Sequence, residues 1–322
     1  MSNGQPFVTI VLPTHNRSNV LVYAIRTVLY QTYSNFELIV VGDGCTDDTG
    51  AVVEGFKDSR ITWLDLPKGW GLGYENRNRA LERARGELIA YQTHDDLWFS
   101  DHLSLLVTTI LRDEGEVVYS LPIHILEDET VFQHPYDVRL PYYREMLLSG
   151  DNRIASSNLM HRLSVVRDVG GWDGRLARNG DVEYWQRMVK MGKKFSYVPV
   201  PTSLGFFASL RPNAYRDREE HEQRAYYEQI MADPSWVHNF RQRMAEDLGC
   251  RFVEQEANLA ARLAVINELT TAVRAFEADR TALLDRLAQC ESGFLNRLFN
   301  MFRQWRNSGT RRSRRNTPLR EN

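Results

Sequence analysis

The sequence predicts an α/β domain, a central sheet with helices on both faces, followed by a helical C-terminal extension. Three observations carry this. Through residues 7–92, short apolar runs of β-type composition alternate with segments of helical spacing. Polar and charged residues collect where three of those runs end. Past Arg218, proline and glycine become scarce, and Ala, Glu, Arg and Leu dominate. The predicted organisation is an α/β domain over 1–215, a helical region over 216–292, and a basic amphipathic helix with a disordered basic end over 293–322.

The elements follow in order. Residues 7–13 (Phe-Val-Thr-Ile-Val-Leu-Pro) form a short strand ended by proline. Residues 19–31 are helical, with Val22, Ile25, Val28 and Leu29 on one face. A second strand, 36–41, ends in Gly42-Asp43-Gly44. Thr46-Asp-Asp-Thr49 starts a helix with acidic residues in its first turn. Residues 61–64 make a third strand, 74–84 a helix and 88–92 a fourth strand. Such alternation implies parallel strands, whose ligands bind at the carboxyl ends. Those ends deliver Thr14-His-Asn-Arg17, Asp43 and His94-Asp95-Asp96. From Ser100 to Pro201 the pattern is mixed α/β. It holds a Gly170-Gly-Trp-Asp173 turn, and Asn179-Gly-Asp-Val-Glu183 opens a helix.

In the extension, Leu259, Ile266, Val273 and Leu287 share one seven-residue register, interrupted by Arg280. Leu269, Phe276, Leu283 and Cys290 share the complementary one. The seam reads either as a coiled coil between two copies, through 259–290, or as one helix packed on the body. Within 294–315, Phe294, Leu295, Leu298, Phe299, Met301, Phe302 and Trp305 make one apolar face. Arg297, Arg303 and Arg306 lie near its polar side, and Arg311, Arg312, Arg314 and Arg315 follow. That pattern suits a helix lying on an anionic membrane surface; the alternative is a helix packed on protein.

Composition excludes several classes. The net charge of −2 argues against nucleic acid as a partner. The charge is uneven: residues 291–322 carry eight Arg against two Glu, a net of +6, which leaves −8 for the rest. Cys45, Cys250 and Cys290 form no metal or disulfide pattern, so a reducing compartment fits. Neither a signal-peptide pattern nor an apolar run of about 18 residues occurs, and the expected location is cytoplasmic.

Adjacent carboxylates at the end of a buried strand, Asp95 and Asp96, repel unless a cation lies between them and solvent. Carboxylate oxygens favour Mg²⁺ or Mn²⁺, which complete their shells with substrate phosphates. Asp-Asp before Leu-Trp reads equally as a helix cap. Asp43 lies where a nucleoside is often held through base or ribose, or is a plain turn residue. Arg77 and Asn78 open a helix from which a guanidinium can reach a phosphate or base, unless that face is merely solvated. Asp181 and Glu183 are both candidate general bases, or favourable charges at a helix N-terminus. Gly69-Trp-Gly-Leu-Gly73 lacks the third glycine of a dinucleotide loop, with Asn76 in its place, and no GK[ST] Walker ending occurs.

Taken together, about Val8 to Phe207 resembles the family 2 inverting glycosyltransferases. Residues 8–17, VTIVLPTHNR, are similar to the family's opening strand and PxxNR ending. Residues 31–49 are similar to its second strand and DDGSxDxT turn. Arg77-Asn78 with 84–90 resembles the ARNxG helix and the strand before the metal motif. Gly170-Gly-Trp-Asp173, Gly180-Asp181 and Trp185 resemble the GGFDE and ED…W segments.

The resemblance implies a GT-A fold with a mixed central sheet. It implies transfer of one sugar, with inversion, from a nucleotide-diphosphate sugar to an acceptor hydroxyl. A UDP-sugar would be the donor and a saccharide or lipid-linked molecule the acceptor, in bacterial surface-polysaccharide or glycolipid synthesis. It places Pro13, Thr14, Arg17, Asp43, Arg77 and Asn78 at the nucleotide. Asp95 would hold Mn²⁺ or Mg²⁺, Asp96 would support it or touch the sugar, and Asp181 would be the base, with Glu183 as alternative. Three positions depart from the pattern: Gly42, Thr93 and Gly180 stand where the family has acidic residues. The QxxRW signature of processive synthases is absent, which implies no polymerisation. A catalytically inactive binding or scaffold protein is the alternative; a sugar-nucleotide pyrophosphorylase would need a glycine-rich loop where Pro-Thr-His-Asn-Arg stands.

Overall fold

The computed structural model describes residues 5–126, 131–133, 136–206, 223–233 and 235–247. The seam at 259–290 and the basic helix at 294–315 lie outside them. Contacts divide the chain into Met1–Cys250 and Arg251–Asn322, and the following concerns the first unit.

Four parallel strands build one half of the sheet: β1 (Val8–Thr14), β2 (Phe36–Asp43), β3 (Ile61–Leu66) and β4 (Leu88–Tyr91). Further along the chain come β5 (Leu97–Trp98), β6 (Val117–Tyr119), β7 (Ile123–Ile125), β8 (Val131–Phe132), β9 (Leu159–Arg162), β10 (Phe195–Tyr197) and β11 (Ser203–Phe206). The main sheet has seven strands in the order β10-β6-β9-β4-β1-β2-β3, with β9 antiparallel to both neighbours. A second sheet runs β5-β11-β7-β8.

Side-chain alternation sorts the strands' residues between two cores. Val11, Ile39, Val41, Ile89 and Tyr91 face one cluster, shared with α3 (Tyr74–Leu81) and α7 (Gly180–Lys190). Ile10, Leu12, Leu38, Val40, Leu88 and Ala90 face the other, covered by α1 (Ser18–Leu29) and by a helix at His102–Arg112. A third cluster joins the second sheet to two C-terminal helices, Gln223–Ala232 and Trp236–Asp247, through Phe206, Ile230, Trp236 and Phe240. Among the described residues, no helix is long and apolar enough to cross a membrane.

The structure moves three predicted boundaries. Proline does not end β1: Pro13 pairs with Val41, past Val11, the last residue of β1 bridged to β4, where its missing N–H costs least. The helix after β2 begins at Thr49, not Thr46, because Asp47 Oδ1 accepts the Thr49 amide and Oδ2 the Ser18 amide. Helix α3 stops at Leu81, where the Arg83 and Ala84 amides turn to tighter bonds on Ala80 and Leu81.

Candidate active site

Asp43, the last residue of β2, is buried and fully engaged. Its Oδ1 accepts the Gly69 amide at 2.7 Å and Asn76 Nδ2 at 2.6 Å, and its Oδ2 accepts Lys68 Nζ at 2.6 Å. The Lys68 ammonium also donates to the Gly69 and Gly71 carbonyls, so loop 68–73 wraps around it. Gly73 has φ +70°, and a Cβ there would stand 2.5 Å from the Asp43 carboxylate. The loop exposes Trp70, which is 67% accessible.

At the end of β1, Thr14 and Arg17 are buried, and Pro13 is half-buried. Among the described residues Thr14 Oγ1 has no hydrogen-bond partner, an acceptor and donor left open on the strand next to β2. Arg17 binds Thr49 Oγ1 through its amide. Burial holds the His94 imidazole neutral, against the pull of Asp95 and with the help of Arg17.

The pair at 95–96 divides its labour. Burial, and then the Asp95 charge, push the Asp96 carboxyl up to about 7. Ser157 Oγ and the Phe206 amide donate to its two oxygens, so Asp96 ties this loop to the strands behind it. Thr93, at the first acidic position of the family motif, is half-buried, and its hydroxyl has no hydrogen-bond partner among the described residues. Asp95 differs: the neutral His94 imidazole stands with Nε2 4.0 Å from its Oδ2, and its carboxylate takes no hydrogen bond from the described residues. Those residues include no cluster of three His, Cys, Asp or Glu side chains able to hold a metal. A lone open carboxylate fits an Mg²⁺-type cation that takes most ligands from water and phosphate.

Helix α7 opens at Gly180, whose amide, with no helical carbonyl to donate to, donates to Tyr74 Oη at 2.9 Å. A Cβ at 180 would meet the Tyr74 ring at 2.5 Å, so the acidic residue of the family pattern has no room here. Asp181 follows. Burial raises its carboxyl above the usual range, opposed by the first backbone amides of α7 and by Arg77. Glu183 is bound at both oxygens by Arg187, at 2.6 and 2.7 Å. Arg187 also holds the Val169 and Gly171 carbonyls, so Glu183 braces the Gly170–Asp173 turn.

Arg77 and Asn78 part company. The half-buried Arg77 guanidinium donates to the Leu72 carbonyl and lies over the Tyr74 and Trp172 rings, 4.7 and 5.3 Å from their centroids. Burial works against its charge, while Asp181 and Asp43 support it. It is therefore no solvated face. Asn78, expected at the nucleotide, pairs its whole amide with the Trp172 backbone, 2.8 Å each way. Asn76 reaches Asp43 in its place. Sequence reasoning also missed Lys68, whose only signal was a cation next to a glycine-rich loop.

With this geometry in hand, known proteins can be compared. The profile of glycosyl transferase family 2 matches residues 9–165. Residues 9–165 form a family 2 glycosyltransferase domain. A β-1,3-glucosyltransferase of Escherichia coli, WfgD, named for UDP-Glc and α-D-GlcNAc-diphosphoundecaprenol, is 35% identical over 112 residues. That match spans 35% of this chain and 44% of the relative, less than half its length. TarS of S. aureus, solved with UDP-GlcNAc, superposes with a TM-score of 0.53 at 16% identity, covering 77% of each chain. A mannosyltransferase of Pyrobaculum calidifontis, solved with GDP-Man and Mn²⁺, gives 0.51 at 16%, covering 84% of this chain and 81% of that one. At such identity the likeness concerns the fold, and the mixed seven-stranded sheet of the glycosyltransferase domain is the GT-A arrangement expected.

Proposed function

We propose that the protein transfers a single sugar, with inversion, from a UDP-sugar to a hydroxyl of a saccharide or lipid-linked acceptor. The observation that carries this is that Asp43 and Asp181 both act on the Arg77 guanidinium, with the open Asp95 at a neighbouring strand end. Asp43 and Thr14 receive the base and ribose, beside Pro13 and Arg17. Asp181 takes the proton of the acceptor hydroxyl as its oxygen bonds to the anomeric carbon and the bond to the diphosphate breaks. A carboxyl raised by burial is a stronger base at neutral pH. With Glu183 engaged by Arg187, Asp181 is the better candidate. Asp95 holds Mn²⁺ or Mg²⁺, which supplies charge to neutralise the leaving diphosphate.

The UDP-sugar donor and the lipid-linked acceptor are supported by the names of the E. coli relative and of the TarS complex. An enzyme serving such acceptors works at the cytoplasmic face of the membrane, for which the 294–315 face and its arginines are suited. Co-sedimentation with anionic liposomes should be lost on truncation at Glu291 and in high salt. The test of the reaction is a screen of nucleotide-sugars for hydrolysis with and without Mn²⁺. UDP-sugar hydrolysis that EDTA abolishes is the expected result. Nucleotide binding without turnover on any donor would favour the inactive binding protein.

A further inference from the structure

The loop that carries Asp95 is held from inside by two glutamine amides. Gln92 Nε2 donates to the Asp96 carbonyl at 3.2 Å. Gln223, the first residue of the helix Gln223–Ala232 and 1% exposed, donates from Nε2 to the Asp95 carbonyl. That helix is not loosely placed. Tyr227 packs on Tyr23 of α1 at 5.2 Å, and Tyr226 packs on Phe206 at 5.7 Å. From the next helix, Arg241 binds both oxygens of Asp101, at 2.8 and 3.0 Å. The helical pair thus grips the segment 95–101 at both ends.

The other half of the Gln223 amide is the informative one. Gln223 Oε1 is buried and has no hydrogen-bond partner among the described residues. Turning the amide over would set Oε1 against the Asp95 carbonyl oxygen, so the orientation is fixed by chemistry. Buried amide oxygens without a donor are uncommon and costly, and this one belongs to an amide already docked on the Asp95 loop. The residue whose carbonyl it holds, Asp95, carries the carboxylate that takes no hydrogen bond from the described residues. A hydrated divalent cation on that carboxylate brings water protons, the partner that Oε1 lacks.

We propose that Gln223 is part of the cation site: Nε2 positions the Asp95 loop, and Oε1 accepts a hydrogen bond from the hydration shell of the cation on Asp95. This rests on the reading of Asp95 as the cation ligand. It makes a residue 128 positions downstream, outside the 9–165 profile, a determinant of metal affinity.

The test measures Mn²⁺ affinity by electron paramagnetic resonance on the full chain with UDP present. Outer-shell partners typically contribute about 10- to 100-fold in affinity. Gln223→Leu should weaken Mn²⁺ binding by about that factor, with UDP affinity in the absence of metal unchanged. Gln223→Glu separates the cation from mere packing: it keeps an oxygen towards the cation but loses the donor to the Asp95 carbonyl, so it should recover part of the affinity lost in Gln223→Leu, whereas a purely structural role makes it as poor as the leucine variant. Wild-type affinity in Gln223→Leu, or no recovery in Gln223→Glu, overturns the proposal. If the leucine variant does not fold, amide hydrogen exchange of the wild type decides. Mn²⁺ with UDP should slow exchange at 223–232 relative to UDP alone, and no change overturns the proposal. A wild type that binds no Mn²⁺ refutes the reading of Asp95 itself.

Discussion

Two sets of carboxylates stand at this candidate site, and the fold treats them in opposite ways. Asp43, Asp96 and Glu183 are satisfied from within: three donors on Asp43, Ser157 and Phe206 on Asp96, and Arg187 on Glu183. Asp95 and Asp181 are not. Asp95 has only a distant imidazole, and burial raises Asp181 without a full counter-charge. A satisfied carboxylate is a building block whose loss is felt by the fold. An open one is a cost to the fold, compensated when substrate or cation arrives.

Replacement of an open carboxylate should therefore damage activity far more than stability, and of a satisfied one the reverse. Asp181→Asn should show the largest effect, a loss of about 10²- to 10⁴-fold in kcat with UDP affinity retained, the usual worth of a positioned base. Steady-state kinetics with calorimetric UDP binding checks it, and an active Asp181→Asn beside a dead Glu183→Gln would reverse the assignment. Asp95→Ala should lose about 10²- to 10³-fold, the scale of one preorganised electrostatic contact, with Tm unchanged. Full activity of the metal-stripped enzyme would break the comparison on that side.

Lys68→Met tests the satisfied set, since it removes one of three donors from Asp43 and frees the loop it anchors. UDP affinity should fall about fivefold, near 1 kcal/mol for a half-exposed ion pair, with kcat at saturation little changed. Glu183→Gln should lower Tm slightly and leave kcat within about threefold, because the Arg187 brace is partly exposed.

The smallest effect concerns pH. Burial drives His161 down to about 4 and His102 to about 3, well below the ordinary 6.5. His161 Nδ1 donates to the Arg162 carbonyl, which leaves Nε2 to accept the Tyr91 hydroxyl at 2.9 Å. The unfolded chain binds the extra proton first, so stability is full above 6.5 and declines as pH falls towards 4. Melting curves across that window should be steeper in pH for the wild type than for His161→Gln, which keeps the acceptor and cannot titrate. Equal slopes would remove His161 from the account.

Much of this was legible beforehand. The alternation of β2 and β4 residues between two faces, and the polar ends of β1, β2 and β4, place the site at one sheet edge. What stayed hidden depends on rotation and distance. Asn76 and Asn78 lie two residues apart on α3, so they face different ways, and only the stacking of Tyr74 on Trp172, at 5.5 Å, sets which one meets Asp43. Gln223 lies 128 residues from its partner, beyond any local pattern. Gly180 looked like a lost acid; the Tyr74 ring beside it shows why none fits.

The loop around Lys68 has an optical consequence. Trp70, 67% exposed, rides on the same few residues whose amide and carbonyls clasp Asp43 and its ammonium, whereas Trp98, Trp172 and Trp185 are sealed in the interior. Its indole emits from water, at the red end of the tryptophan range, and is open to collisional quenchers such as iodide that cannot enter the core. Any ligand that rearranges the contacts of Asp43 shifts that fraction of the emission, so the molecule carries a native fluorophore on the loop that clasps Asp43.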